Sequence, residues 1–246
     1  MIPTRNESES IEMLLKQIAE HTTGLPYKFE VIIPDYSKDR TPELARSAAK
    51  KYGLDLRVMN VDKPGRGYAM ILGVNSARGD AYILMDADIS HDPKVIPKFL
   101  EEFEKGDVEV VSASRFPPIG WSEEHTFFHY WGNRMSTFGI NMLFGGWGGW
   151  KLTDTENGYC LFSKKAWDTI ALDAPGWTFE AQMFCRMLKH RIPFREISSM
   201  EKKRYGNYAK LKVMRVAWKI AARVLLERFG WPKIYLKKPS TADTTA

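Results

Sequence analysis

The sequence predicts an α/β domain, a mostly parallel sheet flanked by helices in a Rossmann-like arrangement. Short apolar runs at 29–33, 54–58, 81–85 and 108–111 alternate with helical stretches at 7–21, 42–52, 66–77 and 93–104. Apolar strands joined by helical crossovers are the pattern of a sheet buried on both faces. The chain has 246 residues and no internal repeat or clear linker, which fits one large domain with an appendage. Right-handed crossovers then gather the strand C-terminal ends along one edge, where ligands bind.

Met1-Ile2-Pro3 reads as a very short first strand before the polar turn Thr4-Arg5-Asn6-Glu7. Ile11, Leu14, Leu15 and Ile18 recur at three- and four-residue spacing and mark one face of the first helix. Pro42 and Pro93 suit the first turn of a helix, where a missing amide proton costs little. The second half is less regular. An aromatic- and glycine-rich section covers 121–150, followed by an expected strand at 158–162, a helix at 179–189 and a strand at 193–197. A final helix is expected at 208–229 and a disordered tail at 237–246.

Composition removes several function classes. Apolar residues make up 44% and charged residues 27%, against wholesale disorder and a polytopic membrane protein alike. No leader pattern opens the chain, and no run of about 18 uncharged apolar residues offers a simple membrane span. The net charge of +6 admits anionic partners without selecting one. Cys160 and Cys185 lack metal-knuckle spacing and suit buried thiols in a reducing compartment. His125 and His129 have no third ligand for zinc, and His91 reads as a polar loop residue. Dinucleotide and Walker fingerprints are absent, and no nucleic-acid reader motif appears.

The chemistry-bearing signal is Asp86-Ala87-Asp88, directly after the apolar run 81–85. Carboxylates two apart in extended chain share a face and offer hard oxygen ligands for Mg²⁺ or Mn²⁺. A solvated Asp-rich turn, with Asp88 near a helix cap, has the same local sequence. Asp35, in the loop 35–41, can accept hydrogen bonds from a base or ribose. Lys63-Pro64-Gly65-Arg66-Gly67 opens a helix, where glycines permit close approach and Lys63 or Arg66 can oppose phosphate charge. Each loop also reads as an ordinary polar connection, but all three meet at the same sheet edge.

Together with Ile2-Pro3-Thr4-Arg5-Asn6-Glu7, Ser114-Arg115-Phe116, Thr153–Tyr159 and Arg204–Leu211, these strings resemble family 2 glycosyltransferases over about residues 1–215. Within that family the likeness is to the polyprenyl-phosphate (dolichol-phosphate) mannose synthases. The resemblance implies a GT-A fold for 1–207, with 121–150 as an interface section and 208–236 as an amphipathic C-terminal extension. It implies inverting transfer of a hexose, mannose from GDP-mannose first and glucose from UDP-glucose as alternative, to dolichyl or polyprenyl phosphate. A noncatalytic nucleotide-sugar or membrane-binding subunit is the reading from another class.

Carried over by position, Pro3, Arg5, Asn6, Glu7, Asp35, Lys63, Arg66 and Asp86 serve the nucleotide sugar. Asp86, Asp88 and Ser90 hold Mg²⁺ or Mn²⁺, and Arg115, Arg204 and Lys210 meet the acceptor phosphate. Asp154 orients donor or acceptor, and Asp86, Asp88, Arg115 and Arg204 form the catalytic set. Departures are Pro34-Asp35 in place of Asp-Asp, Ser90 in place of Gln, and Glu156–Cys160 in place of Thr-Ser-Gly-Phe-Arg. Arg134 and Ser136 fall out of register with the family's Arg/Ser pattern. A peripheral enzyme on the cytoplasmic face of a membrane follows, with a small membrane subunit as a possible partner and no nucleic acid. In the final helix Leu211, Met214, Ala217, Trp218, Ala221, Val224 and Leu225 form an apolar stripe flanked by Lys212, Arg215, Lys219 and Arg223. Such a helix can lie in a headgroup layer or cover the sheet or a partner.

Overall fold

Backbone pairing joins the apolar runs into one sheet surface. The computed structural model describes residues 1–116, 119–123, 127–145, 148–202 and 213–230. Strands β1 (Glu30–Asp35) and β2 (Asp55–Asn60) pair in parallel, Val31 opposite Leu56. A second set follows the order β3 (Ala81–Leu84), β6 (Cys160–Ser163), β4 (Val110–Ser114), β7 (Phe194–Ser198). The two-residue strands β5 (Trp121–Ser122) and β8 (Met200–Glu201) pair beside it. β6 runs antiparallel to both neighbours, a reversal within the mostly parallel sheet expected from the sequence.

The expected first strand is a seam between the two sets. Ile2 N–H donates to the Ile32 carbonyl and Thr4 N–H to Pro34, each at 3.0 Å, while Met85 N–H donates to the Met1 carbonyl at 3.0 Å. The C-terminal ends of β1 and β3 therefore meet the polar turn 4–7 along one edge.

Helices cover both faces. α1 (Ile11–Thr22), α2 (Thr41–Tyr52) and α4 (Ile96–Glu104) lie on one side, where Ile11, Leu14, Leu15, Ile18 and Phe99 are buried with Ile33, Val111 and Leu161. α1 begins later than the sequence suggested, because residues 7–10 form a turn closed by Ser10 N–H to the Glu7 carbonyl at 3.1 Å. On the other face α3 (Arg66–Asn75), α5 (Phe127–Phe144), α6 (Lys164–Ile170), α7 (Phe179–Lys189) and α8 (Val213–Phe229) surround Phe162, Phe179, Phe184 and Met187. α5 and α6 were not read from the sequence. The expected tail 237–246 and the start of the final helix at 208–212 lie outside the described residues.

Glycines at the start of α3 serve packing rather than ligand approach. A Cβ on Gly67 would collide with the Ala174 carbonyl and stand 3.0 Å from Phe179 Cβ, and Tyr68 N–H donates to the Pro175 carbonyl at 2.9 Å. The first turn of α3 is thereby fixed against the entrance to α7.

Candidate active site

The carboxylate pair sits where the sequence placed it, just past β3, on a turn tightened by its own side chains. Asp88 Oδ1 accepts from Ser90 N–H at 3.1 Å and from Ser90 Oγ at 2.5 Å. Between them Ile89 adopts φ 65°, a left-handed conformation that costs a β-branched residue free energy and is held by its surroundings. Ser90, expected as a third metal ligand, is buried and donates its hydroxyl proton to Asp88, which orients that carboxylate.

Asp86 is gripped twice. Arg66 donates from Nε at 3.0 Å and Nη2 at 2.6 Å to Asp86 Oδ1. The Asp86 backbone N–H donates to His91 Nδ1 at 3.0 Å, and the His91 ring stacks on Tyr159 at 4.8 Å between centroids. Burial holds the His91 pKa below its ordinary value despite the neighbouring carboxylates, so the neutral imidazole accepts this bond. Arg66, expected to meet phosphate, has a guanidinium that joins Asp86 to the buried Glu180. His91, read as a polar loop residue, is a buried support of the site.

The turn 4–7 and the loop 35–41 are laced together at the same edge. Asp35 is buried, its Oδ1 accepting from Thr4 Oγ1 and Ser37 Oγ at 2.6 Å each and its Oδ2 from Ser37 N–H at 3.2 Å. Asn6, at φ 59°, accepts from Lys38 N–H at 2.9 Å, and Glu7 N–H donates to Thr41 Oγ1 at 2.8 Å. Arg5 is exposed over the Tyr36 ring, Pro3 is half-buried, and Lys63 lies over the Tyr68 ring at 4.2 Å. Burial, then the charge of Asp88 and more weakly of Asp86 and Asp39, pushes the Glu7 pKa up to about 7.

Among the described residues no group of three or more His, Cys, Asp or Glu side chains could hold a metal ion. The donor chemistry still fits Mg²⁺ or Mn²⁺. Asp86 and Asp88 are hard oxygen donors, and diphosphate oxygens and water would complete such a shell. Asp86 and Asp88 are the residues that would hold it.

Arg115 and Asp154 find each other. Arg115 is 8% and Asp154 0% exposed, with Nε to Oδ2 at 2.7 Å, Nη2 to Oδ1 at 3.1 Å, and Nη1 to Glu201 Oε1 at 3.0 Å. Burial opposes the charge on Arg115, but the fields of Asp154 and Glu201 outweigh it and raise its pKa. Asp154 is held below the carboxylate range despite its burial, chiefly by Arg115. These ion pairs make a buried strut of the residues expected from the sequence to be the acceptor-phosphate cation and the orienting carboxylate. Glu201, which also accepts from Ser122, was missed. Its neighbour Lys202 donates N–H to the Ser90 carbonyl at 3.2 Å and pairs with Asp92 at 2.7 Å, fastening β8 to the carboxylate turn. Arg204 and Lys210 lie outside the described residues. Ser136 donates to Glu156 at 2.6 Å, and Arg134 sits over the Phe116 ring.

An outward face of the second half is largely apolar. Phe127, Trp131, Met135, Phe138 and Met142 recur along one face of α5, each at least 51% exposed. The opposite face buries Ile140 and Phe144, and Asn141 exchanges hydrogen bonds with the Leu152 backbone at 2.8 and 3.1 Å. α8, in contact with α5, exposes Ala217, Trp218, Ala221, Leu225 and Phe229 along with Lys219. Arg223 departs from the expected basic flank: it is buried beside Glu227. Among the described residues no helix is long and apolar enough to cross a membrane.

The chain matches Glycosyl transferase family 2 over residues 1–170. It is 36% identical over 128 residues to the dolichol-phosphate mannosyltransferase of Pyrococcus furiosus, covering 52% of this chain and 36% of that protein. It is 31% identical over 123 residues to the dodecaprenyl-phosphate galacturonate synthase of Rhizobium johnstonii, covering 49% of this chain and 34% of that protein. These alignments span little more than a third of each relative. Among solved structures, glucosyl-3-phosphoglycerate synthase from Mycobacterium tuberculosis, in complex with Mn²⁺, UDP-glucose and glycerol 3-phosphate, superposes with a TM-score of 0.68 at 19% identity, covering 94% of this chain and 79% of that one. The likeness is one of fold, and the fold is GT-A.

Proposed function

The chain belongs to glycosyl transferase family 2, and from that premise we propose that it transfers a hexose from a nucleotide diphosphate to a polyprenyl phosphate at a membrane surface. The observation that carries this is the pair Asp86 and Asp88, each oriented by its own partner, beside the laced loops bearing Glu7 and Asp35. The mannosyltransferase and galacturonate synthase relatives favour a lipid phosphate as acceptor. Mannose from GDP-mannose is the leading donor, and glucose from UDP-glucose is the alternative.

The chemistry asks little of a general base. A phosphate monoester has a second pKa of about 6 and is largely dianionic near neutrality. Its oxygen attacks the anomeric carbon as the bond to the diphosphate breaks on the opposite face, which inverts the centre. A divalent cation, when bound, neutralises the departing diphosphate. Asp86 and Asp88 fix the donor's diphosphate end, while the turn 4–7 and Asp35 frame the nucleoside. Arg204 and Lys210 are the proposed acceptor contacts, and Arg115 holds Asp154 and Glu201 in place. Rate then comes from alignment and preorganised charge.

The exposed stripe of α5 supports membrane apposition. Residues 127–144 contain no Asp or Glu, and Lys219 of α8 adds positive charge beside the stripe. Such a surface suits the headgroup layer of an anionic membrane. We place the protein on the cytoplasmic face, consistent with the unpaired, buried Cys160 and Cys185; a small membrane subunit covering the stripe is the other occupant. The decisive test supplies radiolabelled GDP-mannose or UDP-glucose with Mg²⁺ or Mn²⁺ and a short polyprenyl phosphate. Label entering an organic-extractable phosphate with inverted stereochemistry is the expected result. No donor-dependent transfer across a panel of sugar nucleotides would leave a binding subunit.

A further inference from the structure

Arg66 occupies an electrostatically awkward place. It stands in the first turn of α3, where the helix dipole already presents positive charge and a further cation is unfavourable. Its side chain is only 15% exposed. Two carboxylates compensate: Asp86, through Nε and Nη2, and Glu180, through Nη1. Glu180 is itself buried, in the first turn of α7, where a negative charge is favourable.

Space for the fork is built in. A Cβ on Gly158 would stand 2.6 Å from Arg66 Nη2 and 3.1 Å from Glu180 Oε1. The packing of Gly67 on Ala174 and Phe179 fixes the two helix starts from which Arg66 and Glu180 project. A guanidinium held this way cannot swing freely toward a ligand, so its effect is exerted through Asp86.

We propose that Arg66 is a positioning and charge-balancing residue that makes metal binding depend on the donor. This rests on the assignment of Asp86 and Asp88 to the donor and metal site. With Asp86 sharing its charge with Arg66, the bare pair offers a divalent cation less than two full negative charges. The diphosphate brings the remainder, so cation and nucleotide bind together and neither is held tightly alone. A fixed positive charge within several ångströms changes the affinity for a divalent cation by about tenfold or more, even at the high effective dielectric of a protein edge.

The test measures Mn²⁺ binding by electron paramagnetic resonance, with and without GDP or UDP, in wild type, Arg66→Gln, and Arg66→Gln combined with Glu180→Gln. The double variant leaves no buried Glu180 charge unpaired and guards against a folding failure. The expected result is tighter binding of Mn²⁺ alone, by about tenfold, a smaller gain on adding nucleoside diphosphate, and slower turnover. A merely structural fork would weaken Mn²⁺ binding and turnover together; that outcome, or unchanged Mn²⁺ binding in the folded double variant, overturns the proposal. Wild type that binds neither Mn²⁺ nor nucleoside diphosphate would instead overturn the assignment of the site itself.

Discussion

α1 and α5 each bury one face against the interior, yet their outer faces are opposites. On α1 the outward residues include Glu12, Lys16 and Glu20, tied into the ion pairs Lys51–Glu12 and Lys16–Glu20. On α5 they include Phe127, Trp131, Met135, Phe138 and Met142, with His129 and Arg134 beside them. The half of the chain that carries the carboxylate pair is finished toward water, whereas the half that follows presents a face that water solvates poorly. Surface salt bridges such as those on α1 contribute little stability, but they keep that face solvated. An apolar stripe of five large side chains is the mark of a binding surface. Donor chemistry and lipid contact are thereby assigned to different regions, and each assignment can be broken separately.

The largest effect is expected at Asp88. Asp88→Asn keeps the shape and removes one anionic ligand, so turnover should fall by about a thousandfold. Far-ultraviolet circular dichroism and the melting temperature should stay near wild type. Activity that survives a full divalent-metal titration would remove Asp88 from its role.

Arg115 comes next, and here the loss is in stability. Arg115→Met strands two buried carboxylates, Asp154 and Glu201, at a cost of about 3–5 kcal/mol. Urea denaturation measures this directly. If stability is kept while only acceptor affinity is lost, Arg115 is the phosphate contact the sequence suggested.

A smaller change is expected on the stripe. Trp131→Lys with Phe138→Lys should weaken binding to anionic vesicles by about tenfold in a sedimentation assay, with nucleotide binding unchanged. Equal losses in both assays would show that the two regions are not separable.

The smallest effect is in pH dependence. Burial is the leading cause that pushes Glu7, Glu156 and Glu196 up to about 7 from an ordinary 4.5. An acid with a raised folded pKa contributes stability that is complete below the unfolded value and is lost as pH rises through the folded one. The metal-free protein should therefore lose about 2–5 °C of melting temperature between pH 5 and 8. Glu7→Gln should flatten part of that slope, as should Mn²⁺ with nucleotide. A melting temperature that rises over this range would contradict the sign.

The comparison also explains what could be read from the chain alone. Ile11, Leu14, Leu15 and Ile18 stand out because the residues between them are polar, so a helix with one wet face announces its period. α5 has apolar side chains on both faces and glycines at 132 and 139, so no single apolar stripe stands out from its polar residues. Asp86 and Asp88 were legible because a buried strand delivers them to a known edge. The carboxylate partners of Arg66 and Arg115 were not, since a guanidinium aimed at a ligand and one paired with a distant carboxylate look alike in sequence. Arg66 finds Glu180, and Arg115 finds Asp154 and Glu201, only through the fold. The Ser90 bond was likewise hidden, although a short hydroxyl two residues after an aspartate bonds back to it readily.

The extended stretch Ile2–Thr4 lies between β1 and β3, so two strand intervals separate the loop proposed to frame the nucleoside from the turn that carries the carboxylates. Neighbouring strands keep a spacing of about 4.8 Å, which makes this gap a ruler of about 10 Å set by the backbone itself. A donor of different breadth would have to be accommodated by exchanging side chains along the rim, because the span between its two ends cannot be retuned without unzipping the sheet.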